Sequence, residues 1–173
     1  MTSSSPSSSS SILRAGALSL VCLAASLAPL SALAQAAPLT YGPPIGLEMA
    51  KKIAAAAEAE AKKNGLTMVI SVLDSGGNLV FMERMDGTQL ASIEVAIAKG
   101  RSANNYKRPT KAFEDAVIGG RNAVLGLPGA LPIEGGVLIL IDGKIAGAVG
   151  VSGGSAAQDG QVAAAGVVGL MAK

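Results

Sequence analysis

The sequence predicts an α+β fold, in which a central antiparallel β-sheet of four or five strands carries helices packed on it. Two aliphatic runs each reverse at a turn that contains Asp and Gly, a pattern typical of β-hairpins. The later hairpin is the clearer one, because Val137–Ile141 and Lys144–Val151 flank Asp142-Gly143, a dipeptide that tolerates positive φ at both central turn positions. Other stretches repeat apolar residues every three or four positions, as helices with one buried face do. Helices and hairpins together therefore indicate a layered α+β domain.

The elements follow from local signals in chain order. Asn64-Gly65 ends the first, Ala-rich helix by left-handed capping. Pro109 separates the second helix from the third, because a proline cannot lie in a helix interior. Ser155 can cap the last helix. The predicted elements are helices at 47–64, 92–106, 111–118 and 156–171, and strands at 66–73, 79–85, 137–141 and 144–151.

The order of these elements contains a pseudo-repeat. Each hairpin is followed by a break of small residues and then by a helix. The intervening stretch 121–133 is a loop with much apolar surface, and it offers the possible fifth strand. Because residues this apolar are seldom left in water, the loop is expected to cover a core edge, a subunit contact or a ligand.

The N-terminus has the pattern of a secretory signal peptide. A Ser-rich front precedes an apolar stretch that ends at Ala32-Leu33-Ala34, and Ala34-Gln35-Ala36 offers a second cleavage register. We predict a signal peptide at 1–34, a linker at 35–45 and one domain at 46–173. Cleavage after Ala34 or Ala36 would place the protein in the periplasm or outside the cell, with no stable membrane anchor.

The composition excludes several kinds of chemistry from the mature domain. The single cysteine, Cys22, lies in the predicted signal peptide, and the chain has no His and no Trp. Thiol nucleophiles, disulfides and imidazole bases or metal ligands are therefore excluded. The formal net charge of +2 gives no reason to expect nucleic acid or an acidic membrane as the partner.

The densest cluster of reactive side chains lies around the break between the second and third helices. Free N–H groups at a helix start favour an anion, and nearby cations strengthen that preference. The cluster would receive a carboxylate or a phosphate; the alternative is a solvated basic helix end. Its members are Tyr106, Lys107, Arg108, Thr110 and Lys111, with Lys99 and Arg101 on the preceding turns.

The acidic residues give weaker evidence for a functional site than the basic cluster does. Glu83 and Asp86 could bind a hard cation together, but two carboxylates are few for such a site. Asp74 and Asp142 lie in turns, where Asp is favoured for local hydrogen bonds. Asp159 lies in the first turn of the last helix, a favourable place for a negative charge.

Several motifs in one order give the chain a resemblance to a known family. It resembles the GlcG/HbpS-like family of haem-binding proteins, which is related to the C-terminal domain of the corrinoid-utilisation protein PduO. The resemblance covers about residues 45–172. The stretches that carry it are Ala54–Leu66, Val72–Val80, Glu83–Gly87, Arg108–Lys111, Leu131–Val137 and Gly147–Gly154.

The resemblance implies an α/β sandwich, assembly into homo-oligomers from dimers to octamers, and haem as the ligand. It also implies that Thr110 lies at the haem iron, and the charges of Lys107, Arg108 and Lys111 suit the propionates. Since the chain has no histidine, a corrinoid held by imidazole is not expected.

The first functional hypothesis is thus an exported, non-catalytic haem-binding oligomer that handles haem or senses redox state. The second is an enzyme or accessory protein that acts on a small organic acid such as glycolate through the same basic cluster. The third is a structural or partner-binding oligomer that uses the apolar loop.

Overall fold

The computed structural model describes residues 38–171, and the side chains as far as residue 170. The predicted signal peptide and the first residues of the predicted linker lie outside the described residues. The elements are α1 (Leu47–Lys63), β1 (Val69–Asp74), β2 (Leu79–Arg84), α2 (Ser92–Tyr106), α3 (Lys111–Ile118), a 3₁₀-helix (Asn122–Gly126), β3 (Gly136–Ile141), β4 (Lys144–Ser152) and α4 (Ala156–Met171).

The four strands form one antiparallel sheet in the order β2-β1-β4-β3, which confirms the α+β prediction. Val149 of β4 lies opposite Val72 of β1 on one side and opposite Val137 of β3 on the other. The central strands β1 and β4 are almost wholly buried. Because alternate residues of a strand point to opposite faces, both faces of the sheet must be covered.

The helices α1 and α4 pack on one face of the sheet, against Ile70, Val72 and Val149. The Ala-rich face of α1 permits this close approach, as Ala54 and Ala57 are completely buried. The helix α2 covers the opposite face, where Gly150 of β4 alternates with Val149.

The approach of α2 to the sheet explains a glycine in its interior. A Cβ at Gly100 would collide with the Leu73 side chain and would lie 3.2 Å from the Gly150 nitrogen. A Cβ at Gly150 would in turn collide with the Ala96 carbonyl oxygen. The cost of glycine in a helix is thus offset by backbone-to-backbone packing of α2 on β4.

The predicted turn of the second hairpin and the predicted cap of the helix that follows it are both confirmed. Asp142 and Gly143 have φ of 51° and 72°, the positive values that the tight turn requires. At the start of α4 the Ser155 backbone N–H donates to Gln158 Oε1 at 2.9 Å, and the Gln158 N–H donates back to Ser155 Oγ at 3.4 Å. This reciprocal pair is a capping box.

Several predictions need correction. β1 begins at Val69, three residues after the predicted start. The apolar loop supplies a 3₁₀-helix and no fifth strand in the described residues. The predicted pseudo-repeat of hairpin and helix is confirmed in the order of the elements, although α2 and α4 lie on opposite faces of the sheet. The order of the elements along the chain does not indicate which face of the sheet a helix covers, so the sequence could not show that α2 and α4 lie on opposite faces.

Part of the predicted linker is attached to the sheet. Gly42 N donates to the Ile145 carbonyl at 2.8 Å, Ile145 N donates to Thr40 at 2.9 Å, and Ile45 N donates to Ala146 at 2.9 Å. Tyr41 forms a parallel bridge with Ile145, beyond the point where β1 ends. This N-terminal segment, residues 40–45, therefore extends the sheet by a short irregular stretch.

No helix among residues 38–171 is both long enough and apolar enough to cross a membrane.

Candidate functional site

The predicted site residues lie at the junction of α2 and α3, residues 106–111, which we call the α2–α3 junction. Lys107 adopts the left-handed conformation with φ of 54°, so the chain turns sharply after Tyr106. The Lys107 and Arg108 N–H groups donate to the carbonyls of Asn104 and Ala103, and these bonds close the end of α2. A lysine in this conformation is unusual, because Gly and Asn tolerate it better.

Aromatic rings gather at the junction. The Tyr106 and Phe113 rings meet edge to face with centroids 5.2 Å apart. The Arg108 guanidinium lies 5.5 Å above the Phe113 ring, and Lys107 Nζ lies 4.7 Å above the Tyr41 ring. Three of the four Tyr and Phe rings of the chain are thus found here. The junction presents cations held in place by aromatic faces.

The cations of the junction differ in what they already bind. Lys107 Nζ donates to the Leu39 carbonyl at 3.0 Å. Lys111 Nζ lies 2.7 Å from Asp115 Oδ1, and the hydrogen bond to Asp115 raises the pKa of Lys111. Arg108 donates to the Tyr106 carbonyl through Nε, while its Nη atoms have no acceptor among residues 38–170. Arg108 is consequently the cation best placed to receive an external anion.

Thr110 lies beneath the junction and not on its surface. Its side chain is completely buried, and its hydroxyl accepts a hydrogen bond from the Gly136 N–H at 2.9 Å. The Thr110 N–H donates to the Gly136 carbonyl at 3.0 Å. Thr110 is the N-cap residue of α3, but its backbone is helical and its side chain does not cap the helix. These bonds attach α3 to the first residue of β3, and the role of Thr110 at a haem iron stays a prediction.

Lys99, which the sequence placed beside the basic cluster, belongs to a different site. Its Nζ lies 2.6 Å from Asp159 Oδ2 of α4, with the two side chains 1% and 4% exposed. Asp159 Oδ1 accepts the Gly154 N–H at 2.9 Å. A Cβ at Gly135 would lie 2.8 Å from Lys99 Nζ, so the glycine leaves room for the ion pair. Burial raises the pKa of Asp159, although Lys99 and the Gly154 N–H favour its ionised form.

Sequence reasoning missed this ion pair, but a signal for it exists. Lys99 lies between Ala96 and Ala103 on the helix face that also carries Gly100. A lysine on a buried face needs a carboxylate partner. The periodicity therefore predicts that some acidic residue reaches it, but not which one.

The acidic candidates do not form a metal centre. Glu83 lies on β2 close to Glu58 of α1, and burial together with the neighbouring Glu58 raises the pKa of Glu83. Asp86 follows β2 in an exposed turn. Among the described residues, no group of three or more His, Cys, Asp or Glu side chains is arranged to hold a metal ion.

The loop after α3 is fixed to α2 and leaves apolar side chains in water. Tyr106 Oη donates to the Pro128 carbonyl at 2.7 Å, and the Leu131 N–H donates to Ser102 Oγ at 3.0 Å. Four large apolar side chains, one at the end of α3 and three in the loop, nevertheless stay exposed. We call them the exposed apolar group: Ile118, Leu125, Leu127 and Ile133.

The chain is similar in sequence to a known family and to a known protein. The model of the HbpS-like family, which is described as 'haem degrading protein HbpS-like', matches residues 45–168. Protein GlcG of Escherichia coli K12 is 42% identical over 105 residues, which are 61% of this chain and 78% of GlcG.

Solved structures agree with that assignment. A double mutant of HbpS from Streptomyces reticuli superposes with a TM-score of 0.67 at 30% identity, covering 82% of this chain and 95% of HbpS. A PduOC:heme complex superposes with a TM-score of 0.66 at 26% identity, covering 73% of this chain and 94% of PduOC. Because the family model matches well over half of its residues, the chain belongs to the HbpS-like family.

Proposed function

We propose that this protein is an exported, non-catalytic haem-binding protein and that haem docks on the α2–α3 junction. Membership of the HbpS-like family and the likeness to a PduOC:heme complex support a haem-related role. The observation that carries the proposal is the Arg108 guanidinium, which lies over Phe113 with Nη atoms that bind no acceptor among the described residues.

The residues of the junction fit the propionate edge of haem. A guanidinium pairs with a carboxylate through two parallel hydrogen bonds, and Arg108 is exposed enough to do so. Lys107, also exposed, supplies a second cation, whereas Asp115 competes for Lys111. The half-buried Tyr106 ring offers an apolar surface beside them. Bound haem would supply redox-active iron, which could serve haem handling or redox sensing.

Thr110 fits the iron less directly. In the single chain its hydroxyl is enclosed and bonded to the Gly136 N–H, so an iron contact requires α3 to move away from β3. A neutral hydroxyl is also a weak ligand. We therefore expect modest haem affinity and ready exchange.

Hemin titration followed by the Soret band tests the docking site. We expect Arg108→Gln to weaken hemin binding about tenfold, because a charge-assisted bidentate contact is lost. Arg84→Gln on the exposed end of β2 is the matched control and should bind as the unaltered protein does. Equal affinity in the two variants would refute the docking site.

Two substitutions separate the structural and ligand roles of Thr110. Thr110→Val removes the hydroxyl and leaves the buried Gly136 N–H unpaired, which should cost about 1–3 kcal/mol of unfolding free energy. Thr110→Ser retains the hydroxyl and should keep both stability and hemin affinity. If a folded Thr110→Val protein shows an unchanged hemin spectrum, Thr110 does not bind the iron.

The same arginine could receive a small carboxylate such as glycolate. Turnover of glycolate by the purified protein without added haem would contradict a non-catalytic role. We expect no turnover.

Export is part of the proposal and rests on the sequence of residues 1–34. N-terminal sequencing of the protein from a periplasmic or culture fraction should begin at Gln35 or Ala37. An intact N-terminus at Met1 in the cytoplasm would contradict it.

We also propose that the chain forms a homo-oligomer, a dimer or a higher assembly up to an octamer. The exposed apolar group supports this, since Ile118 and Leu125 are 77% and 62% exposed in the single chain. Light scattering of a Leu125→Asp, Leu127→Asp variant should show a smaller mass than that of the unaltered protein. Leu90→Asp, at another exposed leucine, is the control. Equal masses in all three would remove this surface from the assembly.

A further inference from the structure

We propose a second ligand site, for a small, largely apolar monocarboxylate, at the end of the sheet formed by the β3–β4 turn. A pocket of 320 Å³ lies there between the N-terminal segment, the start of α1 and the hairpin. This volume is at the lower end of the range found for small-molecule sites. The lining residues are Gly42, Pro43, Pro44, Met49, Ile141, Asp142, Lys144 and Ala146.

The walls of this pocket are fixed by backbone bonds. The bonds of Gly42 and Ile45 to β4 hold Pro43-Pro44 against the hairpin. A Cβ at Gly42 would lie 2.8 Å from the Lys144 Cβ, so only glycine allows this approach. The two prolines restrict the backbone further. A ligand would therefore enter a site that is already formed, with little ordering cost.

The chemistry of the lining selects the ligand class. Met49, Ile141 and Ala146 supply an apolar surface to which the prolines add. Lys144 and Asp142 are exposed, and neither forms a salt bridge within residues 38–170. An ammonium group at the mouth of an apolar pocket suits a carboxylate on an apolar body.

The charged residues of the lining favour one negative charge on that ligand. Among the described residues that line the pocket, Lys144 is the one cation. Asp142 stands on the same rim and repels a second carboxylate. The geometry thus favours a monocarboxylate over a dicarboxylate.

The lining of this site differs from that of the proposed haem site. None of its lining residues belongs to the α2–α3 junction. Hemin binding and carboxylate binding can therefore succeed or fail separately.

The experiment uses the full chain with ¹³C-methyl-labelled methionine and cinnamate as the probe. We expect the Met49 methyl signal, assigned through Met49→Leu, to shift saturably with a dissociation constant of about 1 mM, as a fragment-sized ligand would give. Cinnamamide and phenylsuccinate should bind at least about fivefold more weakly than cinnamate. If cinnamate at about 10 mM leaves the Met49 signal unmoved, or if cinnamamide binds equally well, the proposal is overturned.

Substitution of the cation provides the second test. Lys144→Gln should weaken cinnamate binding about fivefold to tenfold and leave its hemin affinity unchanged. Lys52→Gln, an exposed lysine of α1 outside the pocket lining, is the matched control and should bind cinnamate normally. Equal weakening in both variants would mean that overall charge, and not Lys144, attracts the probe, which also overturns the site.

Discussion

Two lysine–aspartate pairs in this protein join the same chemical groups at nearly the same distance. Lys99 Nζ and Asp159 Oδ2 are 2.6 Å apart, and Lys111 Nζ and Asp115 Oδ1 are 2.7 Å apart. The first pair is 1% and 4% exposed, and the second is 53% and 56% exposed. The first also connects α2 to α4, whereas the second lies within one turn of α3.

The difference shows that burial, and not the contact distance, decides what an ion pair does. Water and salt screen the exposed pair, so Lys111 stays available to an external anion at little cost. The buried pair has lost its hydration, so each charge depends on the other. Lys99 therefore stabilises the fold, whereas Lys111 is available at the surface to bind an anion.

Removing the buried cation should have the largest effect. We expect Lys99→Met to lose about 3–5 kcal/mol of unfolding free energy at neutral pH, because the Asp159 carboxylate would be buried without a counter-ion. Urea titration measures this. The double variant Lys99→Met, Asp159→Leu should recover much of the loss, and a double variant no more stable than the single one would show that the pair is not the cause.

Removing the buried anion should have a somewhat smaller effect. Asp159→Asn leaves the Lys99 ammonium, which is 1% exposed, without a counter-ion, but the amide oxygen can still accept its hydrogen bond. Burial also opposes the charged form of Asp159 and raises its pKa, which offsets part of the loss. We expect a loss of about 2–3 kcal/mol. A loss equal to that of Lys99→Met would contradict the asymmetry.

The same raised pKa fixes the sign of the pH dependence. Above its ordinary value of 3.8 and below its raised value, the folded protein holds a proton that the unfolded chain has released. The contribution of Asp159 to stability therefore falls as the pH rises through that window. The Asp159→Asn protein should lack this component, which urea titrations at a series of pH values would show.

Releasing the exposed lysine should affect ligand binding modestly. Asp115→Asn frees Lys111 from its partner and should tighten hemin binding about twofold to fivefold. The Soret titration measures the change. Lys62, which pairs with Glu58 on α1, gives the control variant Glu58→Gln, whose hemin affinity should not change. Weaker binding in Asp115→Asn would indicate that Lys111 does not face the propionates.

Separating the exposed pair should have the smallest effect on stability. The variants Lys111→Gln and Asp115→Asn should unfold at the same urea concentration as the unaltered protein, within error. Any coupling between them should vanish in about 1 M NaCl. A coupling that persists in salt would mean that the pair is shielded from water.

Much of the fold could be predicted from local chemistry. Pro109 separates two helices, Asp142-Gly143 adopts the turn with positive φ, and Ser155 with Gln158 caps α4, because each of these depends only on neighbours in the chain. The face that a helix covers depends on distant residues. The order of hairpin and helix therefore suggested a repeat, although α2 and α4 lie on opposite faces.

The candidate site, like the fold, has features that follow from the local sequence and features that depend on packing. The grouping of Tyr106, Lys107 and Arg108 follows from sequence adjacency. Other features depend on how α3 packs. The Thr110 hydroxyl is bonded to the Gly136 N–H, and Lys111 is paired with Asp115. The Arg108 Nη atoms, in contrast, bind no acceptor among residues 38–170. Residue type alone could not rank these cations.

The sequence by itself determined the helices, the hairpins, the absence of imidazole and the grouping of cations at a proline break, because these are properties of residues and their near neighbours. Only the tertiary structure decided that Lys99 is buried against Asp159 and that residues 40–45 wall a pocket. The reason is physical: burial and ion pairing depend on which surfaces meet, and helix α2 meets α4 across 60 residues of chain.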